Sequence, residues 1–130
     1  MKMLELFLAI FGLCSAIALA ITWIISRRNP TVRCSRLLFD ERLRQMRAEG
    51  YSRLWDDSYT AGELARAASE YAAASATGGD EASTVCQMPR PEWPWGGEHW
   101  RPKGRRDCLV KAGALIIAEL ERLDRMEGRS

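Results

Sequence analysis

Histidine is almost missing from this chain: His99 is the only one in 130 residues. The four cysteines, Cys14, Cys34, Cys86 and Cys108, form no C-x-x-C pair, and His99 stands beside none of them. A zinc site needs several such ligands at close spacing, so ligand count argues against one. Nor do scattered cysteines outline a disulfide framework. Net charge is also missing from most of the chain. Beyond residue 29, sixteen Lys and Arg face sixteen Asp and Glu, and the formal +2 comes from Lys2, Arg27 and Arg28 against Glu5. With no basic excess, no nucleic-acid partner is expected. The chain also has no E-x-x-E. All-α nucleotide pyrophosphohydrolases build a divalent-metal site from such pairs on facing helices, and here only Glu121 and Asp124 make a related i,i+3 pair.

What is present begins with an apolar run. Residues 6–25 carry no charge and no proline. At about 1.5 Å per residue they span roughly 30 Å, the thickness of a bilayer's hydrocarbon core. Trp23 falls at the depth of an aromatic belt, and Arg27 and Arg28 follow. Asn29-Pro30 is expected to stop the helix. Arg27, Arg28, Arg33 and Arg36 outweigh Lys2 and the terminal amine. The positive-inside rule therefore puts residues 30–130 in the cytoplasm, at a membrane crossed once. A cleaved signal peptide is the rival reading, because Ala18-Leu19-Ala20 has the A-x-A form. The run stays apolar past that site through Ile25, which favours an uncleaved anchor over residues 1–29. Leu13 is too large to make Cys14 a lipobox cysteine. Gly12, Ala16 and Ala20 form a small-residue stripe through which two such helices can pair, and a purely structural anchor working this way is one functional alternative.

The remaining hundred residues predict a small three-helix domain, making the chain all-α. A first helix is expected over 35–49, with Phe39, Leu43, Met46 and Leu38 inward. Arg36, Arg42, Arg44 and Arg47 then face solvent or anionic headgroups. Gly50 is its natural stop. Thr60-Ala61-Gly62-Glu63 has capping-box form, and the helix it opens turns Leu64, Ala67, Ala68, Tyr71 and Ala72 inward. Gly78-Gly79 is expected to end it, and residues 78–91 read as a flexible linker. Trp93, Trp95 and Trp100, with Pro94 between the first two and Pro102 after the third, are too apolar to leave in water. They predict a lid packed on the last helix, or an aromatic platform flanked by His99 and Arg101. That helix is expected over 107–127 with Leu109, Ala112, Gly113, Ile116, Leu120 and Leu123 buried, and Val110 and Ile117 widening the face. Gly113 implies close packing. Arg101, Lys103, Arg105 and Arg106 gather at its N-terminus, where an anion can bind; the plainer reading is solvated arginines with Asp107 as cap.

These residues carry a resemblance. The stretch Arg105-Arg106-Asp107-Cys108-Leu109-Val110-Lys111-Ala112-Gly113-Ala114-Leu115-Ile116-Ile117-Ala118-Glu119-Leu120-Glu121-Arg122-Leu123, after Trp93-Pro94-Trp95 and Trp100-Arg101-Pro102, resembles a small protein family recurrent in tailed phages and prophages. Glu41-Arg42, Gln45, Glu49-Gly50-Tyr51, Asp56-Asp57, Gly62-Glu63-Leu64, Ala67-Ala68 and Tyr71-Ala72 follow the same pattern in the same order. The likeness covers about residues 36–125 and implies origin more than chemistry, and with that origin a bacterial inner membrane as the one crossed. Histidines that the family often has near the paired aspartates correspond here to Trp55 and Tyr59, and the membrane segment is an addition.

The functional expectation is a membrane-anchored helical binding module facing the cytoplasm, with Trp93, Trp95, His99, Trp100, Arg101, Arg105 and Arg106 as contacts. No catalytic residue and no cofactor are assigned. Its partners would be the membrane, a host or phage protein, a nucleotide or a second copy. The enzymatic alternative is a Mg²⁺-dependent nucleotide phosphohydrolase with Asp56, Asp57, Glu63, Glu121 and Asp124 as ligands.

Overall fold

A computed structural model describes residues 1–77 and 89–129, and they are helical with no strand among them. The helices are α1 (Lys2–Arg28), α2 (Pro30–Ala48), α3 (Arg53–Asp57), α4 (Glu63–Thr77) and α5 (Arg105–Met126), with one 3-10 turn at Gly97–His99. The chain divides into two compact units, Met1–Arg36 and Leu37–Ser130.

In the first unit, α1 has a mean hydropathy of 2.4 and buries none of its residues, and it is long and apolar enough to cross a membrane. The Arg27 guanidinium lies over the Trp23 ring at 4.2 Å, a cation–π contact of the kind found at membrane interfaces. Asn29 does end α1, with an extended backbone. Yet Pro30 does not keep the chain out of helix. It is the first residue of α2, where its missing N–H costs nothing and its fixed φ suits the turn. The Asn29 side chain accepts from the Thr31 N–H at 2.9 Å and so caps the helix that follows.

The second unit holds the three long helices expected, in part (α2) or whole (α4, α5), plus the single turn α3. Its core is a seam of small side chains. Ala67, Ala68 and Ala74 of α4 meet Cys108, Ala112 and Ala118 of α5, with Leu64 and Leu115 among them. Small residues let the two helices approach closely. Trp100 and Tyr71 supply the bulk that alanines lack. Their rings stack at 4.6 Å and 14°, and Trp93 meets both edge-on, at 4.8 Å and 5.3 Å. Trp95 abuts Trp93 at 5.1 Å and Tyr59 at 5.2 Å. Each such ring pair adds about 0.5–1.5 kcal/mol beyond its burial. The aromatic segment is therefore the lid of the core, packed on α4 and α5 as its composition requires.

The buried faces differ from those the apolar periodicity suggests. On α5, Leu109, Ile116 and Leu120 are about half exposed, and the buried residues are Cys108, Lys111, Ala112, Ala114, Leu115, Ala118 and Arg122, of which the periodicity predicts Ala112. On α2, Phe39 is exposed, Leu38, Leu43 and Met46 are half-buried, and Arg42 and Gln45 are the buried residues. On α4, Ala72 is exposed and Ala74 buried. The reason lies in the partner surface. An alanine-lined α4 leaves room for the long aliphatic stems of Lys111 and Arg122, whose charged ends then find partners at the edge. Gly113 is a close contact, as its presence implies: a Cβ there would stand 2.6 Å from Leu38 Cδ2.

Two caps also differ. Glu63 is the first residue of α4, and its carboxylate accepts from the Ala61 N–H at 2.8 Å, one residue beyond the Thr60 N–H that the box form predicts. Gly62, at φ +78°, makes the turn that brings it there. Asp107 lies inside α5 and reaches back to the Lys103 N–H at 3.0 Å. Gly50 behaves as expected: at φ +74° it follows the end of α2, and the Tyr51 N–H returns to the Gln45 carbonyl. The expected stop at Gly78-Gly79 and most of the expected linker lie outside the described residues. The linker's end does not behave as free chain: Arg90 pairs with Glu70 of α4 at 3.0 Å.

Candidate functional site

Within the second unit, the gap left between α2, the α4–α5 seam and the aromatic lid is a cavity of about 870 Å³. This is within the range of small-molecule sites. One wall is aromatic, built from Trp55, Tyr59, Trp93 and Trp95, with Tyr71 behind. The Trp55 indole N–H donates to the Tyr59 hydroxyl at 2.8 Å, which fixes the two rings against each other. The opposite wall is charged, and α2 supplies most of it through Glu41, Arg42, Arg44 and Gln45.

Arg42 is the centre of that wall. It is only 2% exposed, and its guanidinium donates to Asp56 and, at 2.9 Å, to Glu121. Asp56 sits in the α3 turn, and that turn is capped by the Ser52 hydroxyl accepting from the Trp55 N–H. One buried cation thus ties α2, α3 and α5 together. Burial pushes the Asp56 carboxyl above its ordinary range, against the pull of Arg42 and Arg125, and the nearby Glu121 adds to the rise. Glu41 is also partly desolvated, but Arg44, Gln45 and Lys111 outweigh that and hold its carboxyl below its ordinary value. Arg44 clasps both Glu41, at 2.7 Å, and Glu49, at 2.8 Å.

On the α5 side, Lys111 donates to the Arg101 carbonyl and, at 2.7 Å, to Asp107. The Tyr71 hydroxyl accepts from the Arg101 N–H at 3.2 Å, and burial pushes that phenol up to about 12. Arg101 is thereby held through its backbone, while its side chain is exposed at the rim beside Lys103. His99 stands at the same rim with Nδ1 3.3 Å from the Tyr51 hydroxyl.

Of the contact residues expected from sequence, Trp93, Trp95, His99 and Arg101 line the cavity. Trp100 is core, 6% exposed. Arg105 and Arg106 are exposed in the first turn of α5 and lie away from the cavity walls. The five acidic residues named as metal ligands do not gather. Asp56 and Glu121 share Arg42, Asp57 pairs with Arg125 at 2.6 Å, Glu63 caps α4, and Asp124 is exposed. Among the described residues no group of three or more His, Cys, Asp or Glu stands where it could hold a metal ion. Asp57 is held below its ordinary value by the Arg125 guanidinium.

The residues that sequence reasoning passed over are Arg42, Gln45, Lys111 and Tyr59. A signal for one of them exists. Lys111, like Arg122, keeps helical register with Cys108, Ala112, Leu115 and Ala118, so a polar pair rides on an alanine stripe. No family model, curated protein or solved structure matches this chain.

Proposed function

We propose that this chain is a membrane-anchored binding module whose working surface is the cavity under the aromatic lid. The carrying observation is the cavity itself: about 870 Å³ in a unit of fewer than a hundred residues, walled by four indole and phenol rings on one side and by held charges on the other. A domain this small gains little by leaving such a volume unfilled, because the rings lining it forgo packing contacts. Among the described residues the carboxylates that line the cavity are all engaged by arginine or lysine, which suits holding a ligand. Binding is what the arrangement supports best. α1 is the anchor, and the excess of arginine after it supports a cytoplasmic location for the second unit at a bacterial inner membrane. The likeness to the tailed-phage family supports a phage or prophage origin and suggests a host or phage component as partner.

Photo-cross-linking in intact membranes tests this reading. A photoreactive residue at Tyr59, in the cavity wall, is expected to give a discrete adduct, and one at Ser69, exposed on α4, is expected to give none. Equal adducts from both positions, or none from Tyr59, would count against the cavity as the working surface.

A further inference from the structure

The cavity's cations are not all paired, and the unpaired ones share a location. Four carboxylates line it, Glu41, Glu49, Asp56 and Asp107, and each already has a cation: Arg44 serves the first two, Arg42 the third and Lys111 the fourth. Two cationic side chains remain, Arg101 and Lys103. Among the described residues neither stands within ion-pair distance of a carboxylate; Arg101 makes only a bond from Nε to the Glu98 carbonyl, at 3.1 Å. They are two residues apart, both line the cavity, and the hydrogen bonds of their backbones to Tyr71 and Asp107 hold them there. The cations of this site that have no carboxylate partner therefore sit together at one rim.

The second observation comes from the other wall. The Trp95 indole N–H is buried and has no acceptor among the described residues, although the Trp55 and Trp93 indoles both have one. A buried donor without an acceptor is rare in a settled interior. Trp95 itself lines the cavity, so an acceptor on a bound molecule is what this donor lacks. The aromatic wall asks for a flat body, the indole N–H for an acceptor on that body, and the Arg101–Lys103 rim for an anionic group.

We propose that the cavity binds a small planar anion, a heteroaromatic ring bearing a phosphate or a carboxylate. The ring packs against the aromatic wall with one edge toward Trp95, a ring atom on that edge accepts from the Trp95 N–H in the indole plane, and the anionic group sits between Arg101 and Lys103. This rests on the reading of the chain as a binding module. The volume accommodates a nucleoside monophosphate.

Isothermal titration calorimetry on the full chain in detergent micelles tests it with four probes. These are adenosine 5′-monophosphate, quinoline-3-carboxylate, neutral adenosine, and inorganic phosphate alone. At least one ring-bearing anion is expected to bind about tenfold or more tighter than adenosine and than phosphate. Which of the two anions wins tells phosphate from carboxylate. The Arg101→Gln/Lys103→Gln double variant, altered only at exposed side chains, is expected to lose about tenfold for that anion and to keep adenosine's weaker affinity. Trp95→Phe, which keeps a ring and removes the donor, is expected to weaken adenosine and the anion alike. Neither ring-bearing anion binding tighter than adenosine, phosphate matching the ring-bearing anions, or no binding of either anion would overturn the proposal. If no probe binds while Tyr59 still gives its cross-link, the ligand class is wrong and the binding module stands. If the cross-link fails as well, both fall.

Discussion

Arg42 is the residue on which the second unit's polar interior depends. A buried guanidinium with two carboxylates can be replaced as a set more easily than it can be broken. Arg42→Leu leaves Asp56 buried, 2% exposed, without its cation. A loss of about 3–5 kcal/mol in unfolding free energy is expected, read by denaturant unfolding of the full chain in micelles. Adding Asp56→Asn should return a large part of it, and a double variant as unstable as the single one would show that the pair is not coupled. Asp56 also gives a pH signature. Its folded pKa lies above the ordinary 3.8, so just above pH 3.8 the folded chain keeps a proton that the unfolded chain has released. The resulting stability is full below pH 3.8 and is lost as pH rises through the folded value. Glu41 and Asp57 run the other way: their lowered values give stability above the ordinary carboxylate range that is lost on acidification. Asp56 therefore flattens the acid limb, and Asp56→Asn alone is expected to steepen it in midpoints taken from pH 3 to 6.

At the scale of the element, α5 carries two stripes, and the more apolar one faces out. Leu120, 56% exposed, is expected to tolerate glutamine within about 0.5 kcal/mol. Leu115, 8% exposed in the α4–α5 core, is expected to lose about 2–5 kcal/mol on change to alanine. Thermal unfolding of the two variants checks the assignment, and the reverse order would mean that α5 is turned the other way. The same element marks how far the sequence could be read. Helix type, approximate extent, the Gly113 contact and the aromatic lid were all legible, because capping residues, length and three tryptophans signal them locally. Which face of α5 turns inward was not. Hydrophobic periodicity points to Leu109, Ile116 and Leu120, but the alanines of α4 select a flat stripe with long-stemmed cations at its edges. Arg42 was illegible for a related reason. An arginine among other arginines on α2 looks solvated until Asp56 and Glu121, fourteen and seventy-nine residues away, are brought to it. Pro30 misled because it both follows one helix and opens the next.

For the whole molecule, the proposed function makes α1 an anchor and the cavity of the second unit its binding surface. Among the described residues, the outer stripe of α5 with Leu109, Ile116 and Leu120 is a competing surface. The claim is that the cavity is the one used. Its aromatic rim was foreseen in Trp93, Trp95, His99 and Arg101, whereas its floor and charged wall needed the fold. Hydrogen–deuterium exchange compares the surfaces directly, with the full chain followed in its native membranes and again after purification into micelles. The account predicts that amides of residues 51–59 and 93–103 are more slowly exchanged in the membranes, where the bound partner is retained, with residues 109–120 unchanged. Added protection confined to 109–120, with the cavity segments alike in both preparations, would contradict it and make the outer face of α5 the working surface.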